Sequence, residues 1–284
     1  MPLNRACLGK RYSAEPAAIT LEALQKYARA YKDPNPRFFD PATPDGIVAP
    51  PMFAVVVTWL PVLSAMTDPE LHADLLRLLH SAQDMEFLAP LHPGDLITAA
   101  STVASIESAA GGETMALSLE AQNQLGQTVN RTTFTVFIRG RRDTGAPTES
   151  RAPAAARAPR PLLVVAQTID PDQTFRYAEA SGDRNPIHVD HNVAKMAGLP
   201  GIIVHGLCTM AFTSKVMIDN LCAGDPTRLK RLGVRFSRPV FPGDTIATTV
   251  WPAGTRAGRH TFTYETCNAE GLAVIRDGIA EVDA

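Results

Sequence analysis

The amino-acid sequence predicts an α+β protein made of two similar halves, in which each half wraps an antiparallel sheet around one long apolar helix. Three observations predict this fold class: two motifs that occur twice in the same order, an apolar helix in each half, and strand-like segments after each of these helices. A helix that is apolar nearly all round has to be buried, and the strands that follow it supply the layer that covers it.

The repeated motifs indicate an internal duplication. Met85 to Ile97 aligns without a gap with Val234 to Ile246, and both copies carry the same Phe, Pro and Pro-Gly-Asp triplet. Upstream of these, Tyr27 to Pro36 aligns with Tyr177 to Pro186. Two motifs repeated in one order are typical of a duplicated chain. We interpret the two Pro-Gly-Asp triplets as turns that lead into strands, because both copies keep them.

Each half is predicted to begin with a helix and to continue with its long apolar helix. In the second half, Asp170 is the expected N-cap, Pro171 the first helical residue and Gly182 the residue after the end. The apolar helices are expected from about Pro51 to Met66 and from about Gly206 to Leu221.

Strand-like segments rich in Thr, Val, Ile and Phe, separated by glycine turns, follow each apolar helix. They are Asp95 to Ser108, Glu113 to Asn123 and Thr128 to Arg139 in the first half, and Thr245 to Pro252, His260 to Asn268 and Leu272 to Val282 in the second.

Residues 141–160 separate the halves. They are rich in Pro, Ala, Arg and Ser without an apolar period, which predicts an extended connector. We therefore expect an N-terminal domain over residues 1–140, a linker over 141–160 and a C-terminal domain over 161–284.

Composition limits the classes of partner. The chain is 45% hydrophobic and 20% charged with a formal net charge of −2, which favours a soluble globular protein over a nucleic-acid or anionic-membrane binder. The apolar run from Ile47 to Leu63 contains three prolines and is shorter than the about 20 residues that span a bilayer. The four cysteines lie far apart, without metal-ligand spacing, which predicts reduced thiols, no metal site and a cytoplasmic location.

The stretch from Tyr177 to His188 carries the candidate catalytic residues. It places the carboxylate of Asp183, the carboxamide of Asn185 and the imidazole of His188 close together in sequence. A carboxylate and a neutral imidazole can share one water molecule and move its proton near pH 7. Asp183 and Asn185 can also simply turn the chain after a helix, but such a turn would not need the histidine.

Gly206 is a candidate donor to a substrate carbonyl. It begins the second apolar helix, where the first N–H groups have no intrahelical partner and the helix dipole is positive. Glycine also allows a ligand to approach the backbone closely. We interpret the preceding His205 as hydrogen-bonded scaffold rather than as a catalytic group.

Taken together, these motifs resemble one family. The pattern Tyr-x-x-x-Ser-Gly-Asp-x-Asn-Pro-Ile-His, then Gly-x-Ile-Val-His-Gly, then Phe-x-x-Pro-Val-x-Pro-Gly-Asp resembles the MaoC-like, hydratase 2 branch of the hotdog-fold enzymes. The resemblance implies a double hotdog that hydrates trans-2-enoyl-CoA to (3R)-3-hydroxyacyl-CoA or runs the reverse dehydration. It further implies Asp183 and His188 as the catalytic pair, Asn185 as a residue that positions water or substrate, Gly206 as the oxyanion donor, and a homodimer.

The first copy serves as an internal control. It carries Phe38 at the position of His188, and Pro51, which has no N–H, at the position of Gly206. We therefore expect one active site per chain, in the second half. The first half is expected to be a structural partner whose helix lines an acyl pocket with Met52, Phe53, Val55, Val56 and Trp59.

Several alternatives stay open at this level. The substrate can be an acyl-carrier-protein thioester or a branched or dicarboxylic acyl-CoA, and the roles of base and acid within the catalytic pair are unassigned. A non-catalytic acyl-thioester binder or a thioesterase is less favoured. No cofactor is expected, since adding water needs none. Four basic residues can contact CoA phosphates or form a solvated strand edge: Lys230, Arg231, Arg235 and Arg238.

Overall fold

A computed structural model describes residues 2–140 and 160–284. The predicted linker lies outside the described residues except for Arg160, so the predicted domain boundaries stay a prediction. Within the two described ranges, no helix is long and apolar enough to cross a membrane.

The first half contains six strands and three α-helices among its described residues, with short 3₁₀ turns between them. They are β1 (Arg11–Ser13), β2 (Ala17–Ala18), α1 (Leu21–Ala30), α2 (Ala54–Val57), α3 (Trp59–Met66), β3 (Leu78–Phe87), β4 (Leu96–Ala109), β5 (Gly112–Gln122) and β6 (Thr128–Arg139).

The second half repeats this order. Its elements are β7 (Leu163–Thr168), α4 (Gln173–Ser181), α5 (His191–Met196), α6 (Gly206–Leu221), β8 (Leu229–Phe236), β9 (Thr245–Arg256), β10 (Arg259–Asn268) and β11 (Ala273–Asp283). The six predicted strands are found as β4, β5, β6, β9, β10 and β11, with shifts of a few residues at their ends. The other five strands were not predicted, and β1, β2 and β7 precede the helix with which each half was expected to begin.

The strands form one antiparallel sheet in the order β1-β4-β5-β6-β3-β8-β11-β10-β9-β7, with β2 paired to β4. The two predicted sheets are therefore joined edge to edge through β3 and β8. In this pairing Asp84 lies opposite Gly233. These residues are equivalent in the aligned motifs, since each comes three positions before the shared phenylalanine. The junction between β3 and β8, here called the seam, therefore lies on a local twofold axis that relates the two copies.

An ion-pair cluster crosses the seam on the exposed face of the sheet. The Arg231 guanidinium donates to both carboxylate oxygens of Asp84, at 2.9 and 2.6 Å, and to Glu281 at 3.2 Å. A bidentate Arg–carboxylate contact of this kind fixes the relative position of the two strands.

The buried helix predicted from about Gly206 to Leu221 is confirmed as α6. Most of its side chains are buried and belong to the same core cluster as β8, β9, β10 and β11. The smaller core of the first half packs α3 against β4, β5 and β6.

The predicted helix from Pro51 to Met66 is wrong in its continuity. It is a 3₁₀ turn over Pro51–Phe53 followed by α2 and α3, which are separated at Thr58. Pro61 lies in the first turn of α3 and lacks the N–H that would bond to the Val57 carbonyl, so the helical hydrogen bonds are interrupted between α2 and α3. The Ala54 carbonyl accepts both the Thr58 N–H and, at 2.8 Å, the Thr58 hydroxyl.

The start of α4 also differs from the expectation. Asp172 rather than Asp170 occupies the N-cap position. The Asp170 carboxylate accepts from Lys32 at 2.7 Å and from Arg176 at 2.5 Å, so it is not available as a cap. Gly182 ends the helix with φ of 80°, as predicted for a left-handed C-cap.

Candidate active site

The turn after α4 brings the predicted catalytic residues together. The main-chain N–H of Asn185 donates to Asp183 Oδ1 at 3.1 Å, and Asn185 Oδ1 accepts from the Ile187 N–H at 3.3 Å. This caps the 3₁₀ turn Pro186–His188 and aims the carboxylate and the imidazole toward one place. The first copy keeps the same capping contact, in which the Arg37 N–H donates to Asn35 Oδ1 at 3.0 Å. Asn185 therefore shapes the turn, and its contact with water or substrate stays a prediction.

Asp183 and His188 converge. A carboxylate oxygen of Asp183 and ring nitrogens of His188 and His205 all lie within 4.8 Å of one another. His188 Nδ1 lies 2.8 Å from the Ile203 carbonyl, which can only accept, so Nδ1 carries the proton. The lone pair of His188 is therefore on Nε2. This is the tautomer that a general base needs.

Burial sets the charge state of the pair. It raises the pKa of the Asp183 carboxyl above its usual value, and the nearby His188 opposes this shift. It lowers the pKa of the His188 imidazole, and the Asp183 carboxylate opposes that shift. The imidazole is thus neutral near pH 7, while the carboxyl takes up a proton more readily than a solvated aspartate does.

His205 links the two candidate catalytic residues. Its Nε2–H donates to the main-chain carbonyl of Asp183 at 2.9 Å, and its ring stacks on His188 with centroids 3.8 Å apart. Its Nδ1 lies 3.1 Å from the hydroxyl of Thr174, which is also 3.0 Å from the His188 carbonyl. These contacts agree with the predicted scaffold role. Thr174, which the sequence did not single out, completes the network.

The cluster of Asp183, His188 and His205 offers a metal ion two free ligand atoms. Both ring nitrogens of His205 are engaged, with a carbonyl and a hydroxyl, and a carbonyl partner requires Nε2 to carry hydrogen. Only Asp183 and His188 keep a free ligand atom. A structural or catalytic zinc site uses three or four protein ligands.

Gly206 is the first residue of α6, directly after His205. Its N–H has no hydrogen-bond partner among residues 2–140 and 160–284. A side chain here would place its Cβ 3.1 to 3.3 Å from the ring of Phe236, which is tighter than ordinary packing. The glycine therefore exposes a free amide at the positive end of a long helix, and Phe236 lies against it.

The first copy shows what replaces these groups. Phe38 is fully buried where the second copy has His188, and the buried Asp33 carboxylate lies 4.0 Å from Lys215 Nζ on α6. Leu60 holds the position equivalent to Lys215 in the other half, so Asp183 is not offered the same cation. Burial raises the pKa of Asp33 and Lys215 opposes the shift.

Residues of the first half also reach the catalytic turn. A Cβ on Gly182 would lie 3.6 Å from Cδ1 of Trp59, so this indole packs beside the turn. Trp59 is thus a predicted pocket residue that lies beside this turn. Contact of the other predicted pocket residues with an acyl chain stays a prediction.

The basic residues considered for CoA phosphates are engaged with protein groups. Arg231 is held by Asp84 and Glu281, and Lys230 Nζ lies 3.1 Å from Asp283. Arg235 lies 3.9 Å from Asp277, and Arg238 donates to the Ala273 carbonyl at 3.5 Å. These contacts favour the interpretation as a strand edge.

The buried histidines predict loss of stability in acid. Burial lowers the pKa of His188 and His205 and lowers that of His80 to about 4. A lowered pKa means that the folded state binds fewer protons, so stability is lost as pH falls below about 6.5 toward 4, by up to about 1.4 kcal/mol per pH unit per histidine. The raised pKa of Asp183 has the opposite sign and offsets part of this loss.

The measurement is urea unfolding at pH 7 and pH 5, with a lower free energy of unfolding expected at pH 5. His80→Phe should reduce the difference, and the exposed His260→Gln should leave it unchanged. Equal stability of the wild type at both pH values would contradict the expectation.

Comparison with known proteins identifies the family of the chain. Residues 154–271 match the family described as MaoC like domain, and residues 6–132 match the FAS1-like dehydratase domain region. The chain is 33% identical to the peroxisomal enoyl-CoA hydratase 2 of Arabidopsis thaliana, over 72% of this chain and 70% of the relative. It is 32% identical to 3-hydroxyacyl-thioester dehydratase Y of Mycobacterium tuberculosis, over 72% of each chain.

Solved structures agree. A MaoC-like dehydratase from Phytophthora capsici superposes with a TM-score of 0.83 at 26% identity, over 99% of this chain and 98% of that one. A Mycobacterium tuberculosis protein described as having a double hotdog fold superposes with a TM-score of 0.64 at 14% identity, covering 96% and 95%, which supports the fold alone. The molecule is a double-hotdog protein. Like the two relatives named above, the chain belongs to the MaoC-like family of dehydratases and hydratases.

Proposed function

We propose that this protein is an (R)-specific enoyl-CoA hydratase that converts trans-2-enoyl-CoA to (3R)-3-hydroxyacyl-CoA, or catalyses the reverse dehydration. The observation that carries the proposal is the convergence of the Asp183 carboxylate and His188 within 4.8 Å, beside a helix whose first amide has no partner in the described part of the chain. The names of relatives, enoyl-CoA hydratase 2 and 3-hydroxyacyl-thioester dehydratase, support the same reaction class.

The proposed mechanism uses one water molecule. Asp183 and the unprotonated Nε2 of His188 hold it, and one of them removes a proton as the water oxygen bonds to the β-carbon. Negative charge then develops on the thioester oxygen, where the Gly206 N–H and the positive end of α6 stabilise it. The pair returns a proton to the α-carbon, so that one water is added in total.

The N-terminal half is proposed to be non-catalytic. Phe38 cannot act as a base, and Pro51 cannot donate a hydrogen bond. Its role is to complete the sheet and to supply one wall of the acyl site, where Trp59 already contacts the catalytic turn.

We propose that the reaction needs no metal or redox cofactor, because His205 has no free nitrogen to act as a third ligand. Addition of EDTA is therefore expected to leave the hydration rate unchanged. A loss of rate that zinc or magnesium restores would contradict this.

The function is tested by following the loss of the conjugated enoyl absorbance of crotonyl-CoA, with chiral analysis of the product. The expected product is (3R)-3-hydroxybutyryl-CoA. A (3S) product would contradict the stereochemistry, and no turnover would contradict the reaction. Release of free thiol would instead indicate a thioesterase.

Rates on CoA, carrier-protein, branched and dicarboxylic forms of the substrate would separate the remaining candidate substrates.

Assembly and compartment are part of the proposal. We propose a homodimer, to be checked by light scattering during size-exclusion chromatography. The cytoplasmic location is supported by four free cysteines, three of them buried. The relatives from Arabidopsis thaliana and Drosophila melanogaster are named peroxisomal, so localisation of the tagged full chain decides between the two compartments.

A further inference from the structure

His80 lies where the N-terminal half reaches the catalytic half. Its ring stacks on Phe134, with centroids 4.1 Å apart, and packs at a tilt against Phe236 at 4.8 Å. Phe236 is the same side chain that limits space at Gly206, where a Cβ would come within 3.1 Å of its ring. A continuous set of contacts therefore runs from His80 through Phe236 to the candidate oxyanion donor.

The imidazole of His80 is held in place. Its Nε2 lies 3.1 Å from the Ala82 carbonyl and 3.1 Å from the side-chain oxygen of the buried Gln83. The register of β3 against β6 shifts between His80 and Ala82. Such irregularities redirect a side chain relative to a regular strand. Burial lowers the pKa of His80 to about 4, so the ring is neutral near pH 7 and contributes packing rather than charge.

The internal duplication offers a comparison for this position. Extending the gapless alignment of β3 with β8 places Leu229 at the position of His80. Leu229, on β8 of the second half, lines a small cavity of about 30 Å³ together with Pro51 and Phe87 of the first half. The equivalent residues at the catalytic site are Gly206, Phe236 and His80, so the phenylalanine is kept and the other two positions differ. The candidate donor and the histidine therefore occur at the same site, and the equivalent site around Pro51 has neither.

We propose that His80 is a positioning residue, supplied by the N-terminal half, whose ring holds Phe236 against Gly206 and so fixes the amide that meets the thioester oxygen. The inference rests on the proposed hydratase function. It makes the active site depend on a side chain from the half that lacks catalytic groups. A misplaced donor mainly weakens the transition state, because that is where the negative charge develops.

Two variants at one position test the proposal. His80→Leu introduces the residue found at the equivalent position, Leu229, and should lower kcat by about 10- to 100-fold, a part of the about 10²- to 10³-fold that an oxyanion donor supplies. KM should change less than about threefold. His80→Phe keeps an aromatic ring against Phe236 and should retain kcat within about threefold.

Further variants keep the test decisive. Phe236→Leu removes the intermediate ring and should reproduce the kcat loss, and the double variant His80→Leu with Phe236→Leu should lose little more, since both act through one contact. Leu229→Val shortens the residue equivalent to His80, which lies beside Pro51 and Phe87, and should leave kcat at the wild-type value. If His80→Leu does not fold, His80→Phe and Phe236→Leu still decide the matter.

Three results would overturn the inference: wild-type kcat in His80→Leu or in Phe236→Leu, equal kcat losses in His80→Leu and His80→Phe, or an effect on KM alone. The proposed function fails separately, when the wild-type protein does not hydrate crotonyl-CoA. If the wild type is active and Asp183→Asn is not, a normal His80→Leu removes only the role of His80.

Discussion

Replacing Asp183 by asparagine is expected to lower kcat for crotonyl-CoA hydration by about 10²- to 10⁴-fold, with a small change in KM. The carboxamide has nearly the same shape, and its oxygen can still accept from the Asn185 N–H, which donates to Asp183 Oδ1 at 3.1 Å. The turn should therefore keep its geometry. A carboxamide can neither take a proton from water nor return one to the α-carbon, so the proton transfer that Asp183 performs is lost whichever of the two it is. Steady-state kinetics on the purified variant measures the effect.

The first copy provides a matched control for this variant. Asp33 is equivalent to Asp183, is buried and lies 4.0 Å from Lys215. Asp33→Asn makes the same chemical change without a histidine or a free helix-start amide nearby, and it should leave kcat unchanged. His188→Ala should lose activity as Asp183→Asn does. Retained activity in both His188→Ala and Asp183→Asn would end the assignment of the pair.

The same variant should not cost stability near pH 7. Burial raises the pKa of the Asp183 carboxyl, which means that its charged form is less favourable in the folded protein than in water. Replacing it by a neutral group removes that penalty, so urea unfolding is expected to show equal or greater stability. A catalytic residue whose removal stabilises the fold is typical of a site maintained for activity.

The elements with a strong local signal could be predicted from sequence. The helix over Gly206–Leu221 is apolar nearly all round, and the six predicted strands are bounded by glycine turns, so this helix and these strands were found with small errors at their ends. The turn from Asp183 to His188 was found because three chemically distinctive side chains occur within six residues. Each of these features is encoded by residues that are near one another in the chain.

One local signal and several features that depend on distant residues were missed. The break at Thr58 follows from Pro61 inside an apolar run, a signal that was present but was outweighed by hydrophobicity. The edge-to-edge pairing of β3 with β8 joins strands far apart in sequence, and no local pattern specifies it. Thr174 and His80 reach the site only through tertiary packing, although the alignment of the two copies already places a histidine opposite Leu229.

Replacing Gly206 by proline is expected to lower kcat by about 10²- to 10³-fold, the usual value of one preorganised oxyanion donor. The change introduces the residue of the first copy, Pro51, and removes the amide hydrogen. The backbone can accept it, because the first helical position suits proline and His205 has φ of −56° and ψ of 135°, which suits a residue before proline. The variant should therefore fold, and circular dichroism checks this.

Gly206→Ala separates the hydrogen-bond donor from the space around it. Alanine keeps the N–H but adds a Cβ within 3.1 Å of the Phe236 ring, which has to move by a few tenths of an ångström. We expect a loss of kcat between those of the wild type and Gly206→Pro, since the donor is displaced but present. Pro51→Gly in the first copy should create no second site, because Phe38 still holds the position of the imidazole. Equal losses in the alanine and proline variants would mean that packing against Phe236, rather than the amide hydrogen, is what Gly206 contributes.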